Sequence, residues 1–560
     1  MQPIYNIAEI CASHGVRQAI LSPGSRCAPL TISFARHTQI QCKVVPDERS
    51  AAFIALGIAL QTQTPVVLIC TSGSAVLNYY PAIAEAYYQH IPLIVLTADR
   101  PAEWIDQQDG QTIRQNQVYS SHCKASYTFP TEYQHPDAIW QTERIISEAI
   151  IKSKQYPQGP VHINIPLREP LYPAEPISYS KEIRIIEQIN SKRVLDQQLL
   201  NQLEQKLKSS SRILLVAGQQ VFVNSELKKN ISNFIKQFGA VLIAEPIGNI
   251  NDATDIITNQ DLIINDFSEI EKTQFKPDLL ITFGEAVISK SLKGFLRKFK
   301  ADTHWHIQPD GAIADTFQSI TNLIQLTSEE FFGSFQGDEA NQSAYKLNWL
   351  KKENQYKLLK ENFFNSNIDF AEIQAIHQVL NGLPDNSILH ISNSMPIRYV
   401  NFLGIKNPSI QLFCNRGTSG IDGVISTAYG AALSTDTTVT VLTGDMAFFY
   451  DRNAFWNNNQ PKNLRIILIN NHGGGIFRMI EGPSSQPEVE EYFATSQKLN
   501  ARLFAQEYNT EYLVAENQAG LTEHLSTFYQ KSETPKLLEI FTDPSLDKLV
   551  LKKFKSIARQ

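Results

Sequence analysis

The chain has 560 residues, too many for one hydrophobic core, so three domains of ordinary size are expected. Its 50 Lys and Arg against 56 Asp and Glu give a net charge of -6, which excludes a broad nucleic-acid surface and leaves any arginine cluster to serve a small anion. Six cysteines without C-x-x-C spacing argue against structural zinc, and no apolar run approaches the roughly 18 residues of a membrane span, so a cytoplasmic protein with no membrane partner is expected.

Residues 1–172 alternate apolar runs with helix-like segments. "AILSPG" reads as a strand entering a loop, "CKVV" as a strand, and "PDERSAAFIALGIAL" as a helix. "PVVLIC" is a strand, "TSGSA" a turn, Ala75 to His90 a helix, and "PLIVLTADRP" a strand ending at Pro101. Strands alternating with helices predict βαβ units and a parallel sheet, and uniformly apolar strands predict helices on both of its faces. The polar stretch "YPAEPISYSKEIR" reads as a linker. A third αβ region follows at about 195–335, with strands "RILLVAG", "AVLIAEP" and "DLLITFG". Then comes a second linker, "QGDEANQSAYKLNWLKKENQYKLLKEN", whose second half reads as a charged helix.

The last third repeats the first. Ala55, Gly57, Ala59, Leu60, Thr62, Thr64 and Val66 recur as Ala428, Gly430, Ala432, Leu433, Thr435, Thr437 and Val439, all at one offset. The same offset carries "IPLIVLT" onto "LRIILIN". A constant offset across two helix–strand units predicts two domains of related topology. The expected architecture is therefore α/β, with three doubly wound parallel-sheet domains over 1–180, 195–335 and 360–560.

Two apolar runs of the last third end on polar residues, Asp445 and Asn471, with a helix-length segment between them and Gly473-Gly474-Gly475 after the second. In doubly wound sheets ligands sit beyond the carboxyl ends of the strands. Mg²⁺ takes about six oxygens and commonly shares them with substrate phosphates. Asp445, the Asn471 amide oxygen and a backbone carbonyl of the glycine turn would supply three of them, and the glycines would let a phosphate approach the backbone. The plainer alternative is that Asp445 caps a helix and the glycines form a turn.

Gly-Asp, twenty-odd residues, then Asn-Asn at a strand end resembles the diphosphate–metal motif of thiamine diphosphate enzymes. Met446 departs from it, since Gly is usual there. Such enzymes place a glutamate of another domain against the aminopyrimidine N1′, and the cofactor carries the hard chemistry. Glu48 in "VVPDERSAAFIALG" stands where that glutamate lies.

"SPGSRCAPLT", "DERSAAFIALG", "TSGSAVLNYYPAIAEA", "PLIVLTADRP", "QTIRQ", "SNSMPIRYV", "NRGTSGIDG" and "NNHGGGIF" together resemble one family, the 2-succinyl-5-enolpyruvyl-6-hydroxy-3-cyclohexene-1-carboxylate synthases of menaquinone biosynthesis. In that family a larger residue follows Gly-Asp, which accounts for Met446. The resemblance covers the outer domains well and the middle one weakly. It implies a transferase that decarboxylates 2-oxoglutarate on thiamine diphosphate and adds the resulting succinyl carbanion equivalent to isochorismate. It further implies that Gly444, Asp445, Met446, Asn471, Gly473 and Gly474 hold the cofactor, with Asp445, Asn471 and Gly473 on Mg²⁺ or Mn²⁺. Ile421 would bend the cofactor, and Ile476 and Phe477 would form an apolar wall beside it and the substrate. Ser25, Arg26, Arg100, Gln111, Lys290, Ser394, Arg398 and Arg416 would line the substrate pocket, where guanidinium matches carboxylate with paired hydrogen bonds. Beside Lys290 the family often has Arg where this chain has Ser291, with Lys293 as a substitute. Glu48 and the metal motif would come from different subunits, making a homodimer obligatory and a homotetramer the expected assembly.

Two other readings compete: another thiamine-dependent 2-oxoacid carboligase or decarboxylase, and an inactive ligand-binding scaffold. Two weaker leads are the "HWH" of His304 and His306, which lacks further zinc ligands, and "VAGQQ", which lacks a G-x-G-x-x-G nucleotide loop.

Overall fold

The computed structural model describes residues 1–251, 255–335, 343–480 and 482–559. Its strands form three six-stranded sheets in which every pairing is parallel. The first contains β1 (Gln18–Leu21), β2 (Gln41–Val44), β3 (Val66–Cys70), β4 (Leu93–Asp99), β5 (Ala125–Thr128) and β6 (Val161–Pro166), in the order β2-β1-β3-β4-β6-β5. The second contains β7 (Ile213–Ala217), β8 (Val241–Ala244), β9 (Ile256–Ile257), β10 (Leu279–Phe283), β11 (Thr303–Ile307) and β12 (Asn322–Ile324). The third contains β13 (Ile388–Ile391), β14 (Gln411–Phe413), β15 (Val439–Gly444), β16 (Leu464–Asn470), β17 (Glu511–Ala515) and β18 (Lys536–Phe541), in the order β14-β13-β15-β16-β18-β17. The first and third sheets thus share one topology. Every residue of β3, β4, β6, β7, β10 and β16 is buried, as strands covered by helices on both faces require.

The sequence echo is also a contact. The helices Glu48–Thr62 and Val424–Ala432 cross at their glycines. A Cβ on Gly57 would lie 1.9 Å from the Thr427 carbonyl oxygen, and one on Gly430 would lie 2.0 Å from that of Ile54. One offset relates Gly57 to Gly430 and Ile54 to Thr427, so the crossing is close to two-fold symmetric within a single chain. Only glycine permits backbones this close.

The order β12-β11-β10-β7-β8-β9 gives the middle sheet the arrangement of dinucleotide-binding domains. Its switch point, between β7 and β10, is nevertheless closed. A Cβ on Gly218 would sit 2.2 Å from the Glu285 carbonyl oxygen, and Gln219 N donates to Ala286 O at 2.9 Å. The "VAGQQ" turn instead docks on the third domain, with Gln219 Nε2 donating to Cys414 O at 2.8 Å. His304 and His306 lie on β11, and both rings hydrogen-bond the Thr282 hydroxyl at 2.8 Å. Burial pushes His304 down to about 4, so this is a neutral buried network.

Several local expectations need correction. The helix expected over Ala75 to His90 is two helices, Ser74–Asn78 and Tyr80–Tyr88, with Pro81 at the start of the second. Asp445 does not cap a helix with its side chain; it is the first residue of the helix Asp445–Asp451. Of the second polar stretch, residues 336–342 lie outside the described residues. Its charged helix, Ala344–Asn365, is no free linker: Trp349 and Tyr356 are fully buried, and Lys346 pairs with Asp255 at 2.8 Å. The first polar stretch is strapped down too, by Tyr179 Oη on Ser33 O at 2.7 Å.

Candidate active site

The adjacent parallel strands β15 and β16 are in register with Gly444 opposite Ile469. Asp445 and Asn471 therefore leave the sheet side by side at its carboxyl edge. They are 2% and 3% exposed, in a cavity of about 440 Å³. Asp445 Oδ1 accepts from Met446 N at 2.9 Å, and Oδ2 accepts from Gln497 Nε2 at 2.7 Å. Burial raises its carboxyl, and these hydrogen bonds together with one from Gly473 N pull it back. Asn471 Nδ2 donates to Glu372 Oε1 at 2.8 Å.

The glycine turn is built for crowding. Gly473 has φ of +151°, and a Cβ there would lie 2.7 Å from Ala494 O. A Cβ on Gly475 would strike the Asn471 amide at 2.5 Å. Gly473 O accepts from Gly475 N at 2.9 Å, which leaves it a second lone pair. A Cβ on Gly444 would meet nothing within 4 Å, so that wall stands open for a ligand.

The opposite wall is cationic. Arg416 Nη1 donates to Asn393 Oδ1 at 2.8 Å, its Nε is buried without a partner, and Arg398 donates to Ser394 O. Among the described residues neither guanidinium is in an ion pair. Burial, then the charge of Arg416, lowers Arg398. Asn393 Nδ2 also donates to Asn415 O and Gly420 O, both at 2.7 Å, so one amide holds the loop that carries Arg416 and Ile421. Ile421, Ile476 and Phe477 supply apolar lining, with Ser394, Met446 and Gly474 also on the wall.

The remaining anticipated residues do not line this cavity. Glu48 opens the helix Glu48–Thr62, just past β2. Arg26, past β1, donates to Leu167 O at 3.0 Å and lies 3.7 Å from Glu169 beside Ser25. Arg100, past β4, donates to Gly110 O at 3.1 Å and lies 3.3 Å from Asp109. Gln111 Nε2 donates to Ser72 O at 3.3 Å. These form a second cluster at the carboxyl edge of the first sheet. Lys290 is the exposed first residue of the helix Lys290–Lys298. Lys293 of that helix is lowered first by burial; the Glu245 carboxylate opposes this, and the charge of Arg416 adds to it.

Sequence reasoning missed Glu372, Asn393, Tyr399 and Gln497. Asn393 and Tyr399 lie inside "SNSMPIRYV", where a polar residue at a strand end was a usable signal. Glu372 looks like any helix-opening glutamate, and Gln497 reaches Asp445 from a distant loop.

The chain matches two family models: the thiamine pyrophosphate enzyme N-terminal TPP binding domain over residues 5–119, and the middle domain of thiamine pyrophosphate enzymes over 181–391. It is 48% identical over 560 residues to the 2-succinyl-5-enolpyruvyl-6-hydroxy-3-cyclohexene-1-carboxylate synthase of Cytophaga hutchinsonii, covering 100% of this chain and 99% of the relative. The chain belongs to this synthase family. The synthases of Flavobacterium johnsoniae and Bacteroides thetaiotaomicron are 40% and 36% identical, each over 98% of this chain and 97% and 98% of their own lengths. Members are thiamine diphosphate enzymes, and the fold here is the three-sheet α/β architecture those domain models imply. A buried carboxylate, an amide oxygen and an open glycine turn fit the diphosphate end of that cofactor with a hard cation. Among the described residues no helix is long and apolar enough to cross a membrane.

Proposed function

We propose that this chain decarboxylates 2-oxoglutarate and joins the remaining four-carbon unit to isochorismate, giving 2-succinyl-5-enolpyruvyl-6-hydroxy-3-cyclohexene-1-carboxylate for menaquinone biosynthesis. One observation carries the reading: a single cavity sets an oxygen-donor corner, Asp445 and Asn471, against two guanidiniums without carboxylate partners, Arg398 and Arg416. Both substrates are carboxylates, and the arginines are free to take them.

Bound thiamine diphosphate would supply the electron sink that lets a 2-oxoacid lose CO₂ and makes the remaining carbon nucleophilic. Asp445, Asn471 and the Gly473 carbonyl would hold Mg²⁺ or Mn²⁺ and through it the diphosphate. Glu48 would share a proton with N1′ of the pyrimidine. Ile421 would press the cofactor into its bent form. Ile476 and Phe477 would keep water from the reacting carbon. Ser25, Arg26, Arg100, Gln111, Lys290, Ser394, Arg398 and Arg416 would orient the substrate carboxylates. Glu48 and the first-domain arginines would come from a second copy of the chain, in a dimer and by extension a tetramer. The domain division we adopt is 1–180, 195–335 and 360–560, and the setting is cytoplasmic.

The test is purified protein with thiamine diphosphate, Mg²⁺, 2-oxoglutarate and isochorismate, following isochorismate loss. Dependent loss of isochorismate is expected. Turnover of pyruvate but not 2-oxoglutarate would indicate a different carboligase, and neither turnover nor cofactor binding would indicate a scaffold.

A further inference from the structure

Asn471 carries two chemically opposite ends, an oxygen that can ligate a cation and an NH₂ that cannot. At a strand end the amide could present either. Here the choice is made by a neighbour. Nδ2 donates to Glu372 Oε1 at 2.8 Å, so Oδ1 is left for the other side of the amide. Gly475 leaves room for that NH₂, since a Cβ there would lie 2.5 Å from Nδ2.

Glu372 is itself immobilised. It is 4% exposed, and its second oxygen accepts from Tyr399 Oη at 2.8 Å. Its backbone N donates to Asp547 Oδ1 at 2.7 Å, and Asp547 Oδ2 accepts from the Thr542 hydroxyl at 2.8 Å. A glutamate that merely favoured its helix N-terminus would point to solvent. This one turns inward and lines the cavity. Tyr399 lies on the helix Met395–Leu403, which also carries Arg398. The carboxyl of Glu372 therefore ties the Asn471 corner to the helix that presents a substrate-side arginine.

We infer that Glu372 is a positioning residue that fixes the Asn471 amide with its oxygen toward the metal corner and couples that corner to the Arg398 helix. The inference rests on the reading of Asn471 as a metal ligand. Outer hydrogen-bond partners of metal ligands typically matter by about 10–100-fold in affinity.

The probe is Mn²⁺ with thiamine diphosphate and no substrate, with free Mn²⁺ counted by electron paramagnetic resonance and the melting temperature of the metal-free protein recorded alongside. Glu372→Ala should weaken Mn²⁺ by about 10–100-fold. Glu372→Gln should restore most of the affinity, because its amide oxygen still accepts from Asn471 and its NH₂ can face the Tyr399 oxygen. Asn471→Ala is the control. If it binds Mn²⁺ like the wild type, the metal reading fails. If it weakens binding and Glu372→Ala does not, the positioning role alone fails. A paired swap covers the case in which Glu372→Ala does not fold. Asn471→Asp sets two carboxyls face to face and should bind poorly, whereas Asn471→Asp with Glu372→Gln rebuilds the hydrogen bond with reversed polarity and should bind better. Equal Mn²⁺ affinity for these last two proteins would overturn the proposal.

Discussion

The first and third domains have the same strand order and helices that cross close to two-fold symmetrically, yet their carboxyl edges are equipped differently. The third domain ends its strands in Asp445 and Asn471, removes side chains at Gly473–Gly475, and encloses a cavity. The first domain carries Glu48, Arg26 and Arg100 past its strand ends, and ties those arginines to carbonyls and carboxylates of its own loops. In the function proposed above, the third domain's edge would offer oxygens to a cation and its own Arg398 and Arg416 to substrate, and the first domain's edge would offer a carboxyl to the cofactor ring and further cations to carboxylates. On that proposal a duplicated topology is divided into complementary halves, and neither half would carry a whole site.

If the halves have these roles, damage to each should read out differently. The largest effect expected is on Glu48→Gln. It should slow exchange of the bound cofactor's C2 proton by about 10²–10⁴-fold, the usual span for a positioned acid or base, while the cofactor still binds. Unchanged exchange would remove Glu48 from the chemistry. Arg416→Ala should cost about 1.5–3 kcal/mol in substrate use, the scale of a charged hydrogen bond, with little change in cofactor affinity. The reverse pattern would move Arg416 to the diphosphate.

Stability offers a finer comparison. Gly57→Ala and Gly430→Ala each place a Cβ about 2 Å from a backbone carbonyl of the other helix. Each should cost about 1–3 kcal/mol or more by overpacking, in similar amounts because the crossing is nearly symmetric. The double variant should cost less than the sum, because the first change already opens the crossing. Thermal or denaturant unfolding measures all three, and strict additivity would mean that the two contacts are independent.

The smallest difference lies in two buried histidines, both pushed down to about 3 by burial. His162 in the first domain hydrogen-bonds Thr97 at 2.8 Å and Ser126 at 3.2 Å. His390 in the third stacks on Phe413, and its Nε2 is buried without a partner. His162→Phe should cost about 1–3 kcal/mol by stranding polar partners, whereas His390→Phe should be nearly neutral at pH 7. Below pH 6.5 the unfolded chain protonates these rings and the native one does not until about 3, so each histidine makes stability fall with falling pH across that window. His390→Phe should reduce that slope, by at most about 1.4 kcal/mol per pH unit. An unchanged slope would show that the ring is not buried neutral.

The outer domains were readable because apolar strands and the alanines, glycine and threonines before them recur at one constant offset, and a duplicated pattern is hard to produce by accident. The middle sheet was only half readable. β9 and β12 are two and three residues long, too short for periodicity. In the cavity, Asp445 and Asn471 announce themselves as polar residues just after strand ends, whereas Arg398, inside the helix Met395–Leu403, and Arg416 were legible only through the family resemblance. Glu372 does not, because nothing local separates a buried positioning glutamate from one that simply opens a helix. Gln497 is joined to Asp445 only by the path of a loop. The docking of the helix Ala344–Asn365 was missed because its charged residues masked the buried Trp349.

The division of labour has one direct test. Glu48→Gln and Asp445→Ala, each expected to be inactive, are co-expressed with different affinity tags and the mixed assembly is purified through both. A site built from two copies predicts that the hybrid regains isochorismate consumption, because one of its sites receives an intact Glu48 and an intact Asp445. A hybrid as inactive as either parent, in a confirmed mixed dimer, would contradict the account.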